Sequence, residues 1–187
     1  MDVALLKEDF HKCIVEALRN FSTDAENDNI YAVAFDCDSS VGVVSLRYRN
    51  KRSFEREVDR YEEYRKKYGW EVYGLHGSEY APGEFAFMEY QKSDLVRLFM
   101  DSYYYHEVGC YYGEGEPIEE IKDNYREIFW DMIVDTINRL KGEIRELGIH
   151  ITDNFIIFHC DHDQSYEDRD KMISMTVDSE NMKALRG

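Results

Sequence analysis

Apolar residues recur at three- and four-residue steps through Val3, Leu6, Phe10, Cys13, Ile14, Ala17, Leu18 and Phe21. That spacing draws one stripe and predicts an amphipathic helix. The polar stretch Ser22–Asn29 ends it, and the period then changes. Ile30–Asp38 (IYAVAFDCD) and Val41–Arg49 (VGVVSLRYR) are rich in β-branched and aromatic residues, and Asp38-Ser39-Ser40 separates them. This predicts a β-hairpin. Helical spacing returns over Ser53–Tyr68 through Phe54, Val58, Tyr61 and Tyr68, with dense charge on the other faces. Gly69 is placed to stop that helix.

Trp70–Tyr90 carries Gly74, Gly77, Pro82 and Gly83 and reads as loop, closed by a short strand in EFAFMEY. A helix is expected from just after Ser93 to about Tyr105. Pro117 suits a first helical position. A long helix is expected to follow it, with Ile121, Tyr125, Ile128 and Met132 on one line. Phe129, Ile133, Leu140, Ile144 and Leu147 form an adjacent line, and Gly148 ends it. Asn154–Asp161 (NFIIFHCD) reads as a buried strand; the tail, Met172–Leu185, is expected to hold a last strand (ISMTV) and a short helix. Helices and strands interleave without a βαβ rhythm or an internal repeat. The expectation is one α+β domain over residues 1–187: a mainly antiparallel sheet packed against amphipathic helices.

Composition narrows the function. The chain is 43% apolar and 14% aromatic, enough for a real core, which argues against disorder. Its start, MDVALLKEDF, is acidic where a secretory leader is basic and apolar. No uncharged apolar run has the length to cross a bilayer. Cys13, Cys37, Cys110 and Cys160 show no CxxC spacing, so free thiols in a reducing cytoplasm are expected. The 39 acidic residues against 23 basic ones leave a formal charge of −16. Such a surface repels nucleic acid, anionic membranes and anionic substrates, and attracts basic macromolecules. The cationic cluster Arg47, Arg49, Lys51, Arg52 is short and bordered by acids, so it does not make a nucleic-acid site.

Two places carry candidate chemistry. The first is a pair of strand ends, Asp36-Cys37-Asp38 and His159-Cys160-Asp161-His162-Asp163. If the two strands were parallel neighbours, these acids and histidines would meet at one sheet edge. Asp36, Asp38, His159, Asp161 and His162 would then suit Mn²⁺, Mg²⁺ or Zn²⁺ in a metal-dependent enzyme. Strand alternation separates His159, Asp161 and Asp163 from Cys160 and His162, so one ion would not reach all five. The simpler account makes Asp38, Asp161 and Asp163 turn residues that bond nearby backbone. It requires no cofactor, and none is expected.

The second place is YYYHEVGCYYGEGE, Tyr103–Glu116. Its five tyrosines cannot all face a core from so short a stretch. Exposed ones beside Glu107, Glu114 and Glu116 would offer a basic protein partner large contact area at low entropic cost. Tyr104, Tyr105, Tyr111, Tyr112, Glu114 and Glu116 are the candidate interface residues. The simpler account packs these rings around the rim of the domain. Other signals are weaker. Glu84 and Glu89 flank FAFM at a spacing that faces opposite sides of a strand. Cys110 near His106 lacks an orienting third group. There is no GxSxG elbow, and GEGEP lacks the lysine and the preceding strand of a phosphate loop.

Three segments, IYAVAFDCDSS, APGEFAFMEY (Ala81–Tyr90) and FIIFHCDHD (Phe155–Asp163), occur in the order found in a bacterial domain-of-unknown-function family encoded near polymorphic toxin systems. The chain resembles that family. Ala81 and Phe85 depart from its Ser-Pro-x-Glu-Trp motif. The resemblance implies an α+β immunity protein or accessory factor in toxin competition, and it brings no catalytic residues. The expected function is a cytoplasmic protein that binds and neutralises a basic toxin domain. The alternatives are the metal-dependent enzyme and a module that self-associates, as a homodimer, through the long helix at 117–147.

Overall fold

The computed structural model describes residues 1–69, 82–161 and 171–177. Helix α1 runs Val3–Phe21, and Asp2 caps it by accepting from the Ala4 and Leu5 amides at 3.0 and 3.1 Å. Its stripe from Leu6 to Phe21 is buried as the spacing requires. Strands β1 (Ile30–Asp38) and β2 (Val43–Asn50) form the antiparallel hairpin. Helix α2 (Lys51–Tyr68) follows β2 directly. Its start is a reciprocal cap between Asn50 and Ser53, and Gly69 ends it at φ +67°. A 3₁₀ turn at Pro82–Glu84 leads into the two-residue strand β3 (Ala86–Phe87). Helices α3 (Asp94–Val108) and α4 (Tyr125–Glu143) and strand β4 (Ile151–Asp161) complete the described elements.

The four strands lie in the order β3-β2-β1-β4. Two pairings are antiparallel, and β1 with β4 is parallel, so the sheet is mixed within an α+β fold. Alternation divides its residues between two faces. Val33, Phe35, Cys37, Leu46 and Ile157 join the main core with α1, α3 and α4. Ala32, Ala34, Ile156 and Phe158 form a second, smaller core with Phe85, Ile173 and Val177, against which Phe54 of α2 packs. Asn27 locks the entry to the parallel pair: its side chain donates to Ser22 and Gly148 carbonyls and accepts from the His150 amide.

Two expectations are corrected. The long helix begins at Tyr125, not at Pro117. Ile118 is held extended against α3, its amide bonded to Ser102 Oγ at 2.9 Å and its carbonyl to His106 at 3.0 Å. These tertiary bonds override the local start signal, and only a 3₁₀ turn at Glu119–Ile121 forms before the helix. The run ISMTV is not a strand. Residues 171–174 are helical, and the Val177 amide donates to the Ile173 carbonyl at 2.8 Å. Ile173 and Val177 are both buried, and their spacing of four serves a helical turn as well as alternation serves a strand. The short helix expected beyond it lies outside the described residues, as does the loop over Trp70–Ala81.

Candidate functional site

Strands β1 and β4 are parallel neighbours, with Phe35 opposite His159, Asp36 opposite Cys160 and Cys37 opposite Asp161. The two acidic ends therefore do converge, but their side chains part. Asp36 turns toward the smaller core, where its carboxylate lies 2.8 Å from Arg47 Nε and 3.8 Å from the Cys160 thiol. His159 and Asp161 are on the opposite face. His159 is fully buried beside Trp130, at 5.7 Å between ring centroids, and neither ring nitrogen has a hydrogen-bond partner among the described residues. Burial pushes its pKa down to about 4, so the ring is neutral.

Asp161 accepts from the Ser39 amide at 3.2 Å and from the Ser39 hydroxyl. Asp38 accepts from the Ser40 amide at 3.0 Å and its hydroxyl at 2.6 Å. These two carboxylates thus serve the hairpin turn, as turn aspartates do. Among the described residues, no group of three His, Cys, Asp or Glu side chains is arranged to hold a metal ion. His162 and Asp163 lie outside the described residues.

The tyrosine-rich segment is built differently. Tyr103 is its buried anchor: its hydroxyl donates to the Ser39 carbonyl at 2.7 Å. Its ring leaves no room for a β-carbon at Gly42, which would sit 2.6 Å from Tyr103 Cδ1. Burial raises the Tyr103 pKa. The remaining four tyrosines fan over the outside of α3. Tyr104 meets Tyr112 at 5.7 Å, and Tyr105 meets Tyr111 edge-on at 6.1 Å. Tyr104, Tyr105 and Tyr111 are half-buried, whereas Tyr112 is 78% exposed. Glu114 and Glu116 are exposed beside them.

The loop that carries this fan is tied at both ends. Arg126 grips Glu107 through two guanidinium nitrogens, which lowers the Glu107 pKa. His106 stacks on Tyr125 and donates from Nε2 to the Ile118 carbonyl, so it is not paired with the exposed Cys110. Tyr111 donates to the Glu114 carbonyl at 3.3 Å. A β-carbon at Gly113 would lie 2.7 Å from the Tyr111 hydroxyl and 2.8 Å from Asp101 Oδ2. The loop backbone is thus pressed onto α3.

Tyr112 stands between two clefts. One, of about 380 Å³, has Asp94, Asp101 and Glu114 in its wall, with Arg97 as the one cation among the described residues that line it. The other, of about 300 Å³, is faced by Val41, Val43, Met100 and Tyr104, with Lys92 at its margin. Sequence reading missed Asp94 and Asp101. They lie seven residues apart on α3 with Leu98 between them, a spacing that puts all three on one helix face. Elsewhere, Glu84 ends the 3₁₀ turn and Glu89 is exposed beyond β3. Among the described residues, no helix is long and apolar enough to cross a membrane. Comparison of the chain with family models, with curated proteins and with solved structures gives no match.

Proposed function

We propose that this protein is a cytoplasmic immunity-type factor that binds and neutralises a basic toxin domain through the tyrosine fan on α3 and the loop at 109–116. The observation that carries the reading is Tyr112, a large ring left 78% exposed on a loop fixed at both ends. Exposed aromatic side chains on a rigid support lose little entropy on docking. Tyr104, Tyr105 and Tyr111 back that ring, and Asp94, Asp101, Glu114 and Glu116 border it. The −16 charge extends the same preference over the whole surface and speeds encounter with a cation-rich partner. The toxin-neutralising part of the reading rests on the three segments that resemble the toxin-associated family.

The test is capture from the native host's lysate at low ionic strength, followed by a salt gradient and mass spectrometry. The expected result is one basic protein in near-equal amount, released by salt or denaturant, whose toxicity in a test host is suppressed by co-expression of this chain. Capture of acidic proteins only, or a basic partner whose toxicity is unaffected, would contradict the proposal.

A further inference from the structure

A single leucine on the outside of a helix is ordinary; several that converge from different elements are not. The buried stripe of α1 starts at Leu6, and Leu5 stands off it, 54% exposed. On α3 the buried residues are Val96, Phe99, Met100, Ser102 and Tyr103, so Leu95 and Leu98 fall outside that side. Ile118, held extended by Ser102 and His106, joins these three leucines in lining a groove of about 280 Å³ between the starts of α1 and α3. Leu95, Leu98 and Ile118 are half-buried. Asp2 and Glu120 also line it: Asp2 caps α1, and Glu120 pairs with the Met1 amine. Among the described residues, no lysine or arginine side chain lines the groove. Leu98 is shared with the acidic cleft beside Tyr112, so groove and tyrosine fan have a common wall. In that cleft Arg97 is paired with Asp94 at 3.8 Å, whereas Asp101 has no ion pair or hydrogen bond with a described residue.

We propose that the partner-binding surface runs on from Tyr112 over Leu98 into this groove, and that the groove takes a segment of the same basic partner: an apolar side chain flanked by cations. This rests on the fan being the partner surface. The apolar side chain meets Leu5, Leu95 and Ile118, while a neighbouring cation reaches Asp101 across Leu98. Size favours the extension. A stable complex covers about 800 Å² on each partner. Three of the four outer rings of the fan are already half-buried, so the fan alone offers well short of that. Charge selects the occupant. Carboxylates line the groove and the cleft beside it, which turns away an acidic segment, and a second copy of this chain carries the same −16 charge.

The probe is a synthetic peptide of lysine and leucine with the leucines at helical spacing, beside a version of equal charge with serine in place of leucine. Amide shifts of the intact chain in two-dimensional NMR are the readout. The leucine peptide is expected to move the resonances of Leu5, Leu95, Leu98 and Ile118 and to bind about tenfold more tightly than the serine peptide, the worth of one buried apolar side chain. Leu5→Gln should erase that difference and hold the melting temperature, since Leu5 is exposed. Equal binding of the two peptides, or shifts spread over the acidic surface and absent from the groove, would overturn the proposal. So would a dimer of the free chain that Leu5→Gln disperses, which would seat a second copy there. The captured partner separates the groove from the fan. Leu5→Gln should weaken it about tenfold, and Tyr111→Ala, Tyr112→Ala should weaken it as well. Loss in the tyrosine variant alone would overturn the groove and leave the fan standing; loss in neither would overturn both.

Discussion

His159 combines complete burial with two ring nitrogens that have no hydrogen-bond partner among the described residues. Its folded pKa of about 4 lies below the ordinary 6.5, and burial is the cause. The sign of the linkage follows. The unfolded chain binds the proton first, so stability is complete above the unfolded pKa and is lost as pH falls from there toward 4. The loss from this group amounts to about 2 kcal/mol at about pH 5. Urea denaturation of wild type and of His159→Phe, with His159→Leu as a smaller replacement, checks this. Wild type should lose about 2 kcal/mol more than either variant between about pH 7 and pH 5. Equal losses would contradict the burial argument. Gly42 is the second residue-scale test. It combines φ +69° with the Tyr103 ring where a side chain would go. Gly42→Ala should destabilise by about 1–3 kcal/mol, since it adds a clash to a left-handed conformation. A change within error would mean that the turn at 39–42 relaxes freely.

At the scale of elements, α3 and the segment it holds behave as one unit. Ser102 is buried on α3, where it accepts from the Ile118 amide and donates to the Leu98 carbonyl. Ser102→Ala leaves the Ile118 amide unpaired and should cost about 1–3 kcal/mol. Hydrogen exchange should quicken over 109–118 more than in α1 or β1; uniform quickening would show that the loop is not held locally. The same bonds explain what the sequence concealed. The stripe of α1, the β1–β2 hairpin and the stop of α2 at Gly69 were readable because local pattern and tertiary packing agree there. The start of α4 was not, because Ser102 and His106 hold Ile118 from another helix. ISMTV failed because five residues fit both periods. The convergence of Asp36 with the end of β4 depended on strand order, which no local pattern carries. Once in place, Arg47 and Ser39 engage the carboxylates that had suggested a metal. In the tyrosine segment, residue type showed only that five rings could not all be buried. Which ring is core and which is surface was decided by Tyr103 reaching the hairpin turn.

For the whole molecule, charge and topology pull in one direction. The apolar face of α4, from Ile128 through Leu140, is buried within its own chain, so it is not free to pair with a copy. An excess of 16 negative charges also opposes close approach of two copies. On the proposed reading, the surface offered to a partner is acidic, with the tyrosine fan as its apolar centre. Association with a basic partner should therefore slow steeply as salt rises, while dissociation changes little. Stopped-flow mixing over a salt series reads both rates; a salt-independent association rate would remove electrostatic steering from the account. The most direct test of the central claim is calorimetric titration of the captured partner into wild type and into Tyr111→Ala, Tyr112→Ala. The account predicts at least about a thirtyfold loss of affinity, equivalent to one hot spot of about 2 kcal/mol, with only a small fall in melting temperature from the lost Tyr111 contacts. Full affinity in the double variant would contradict it and place the partner on another face.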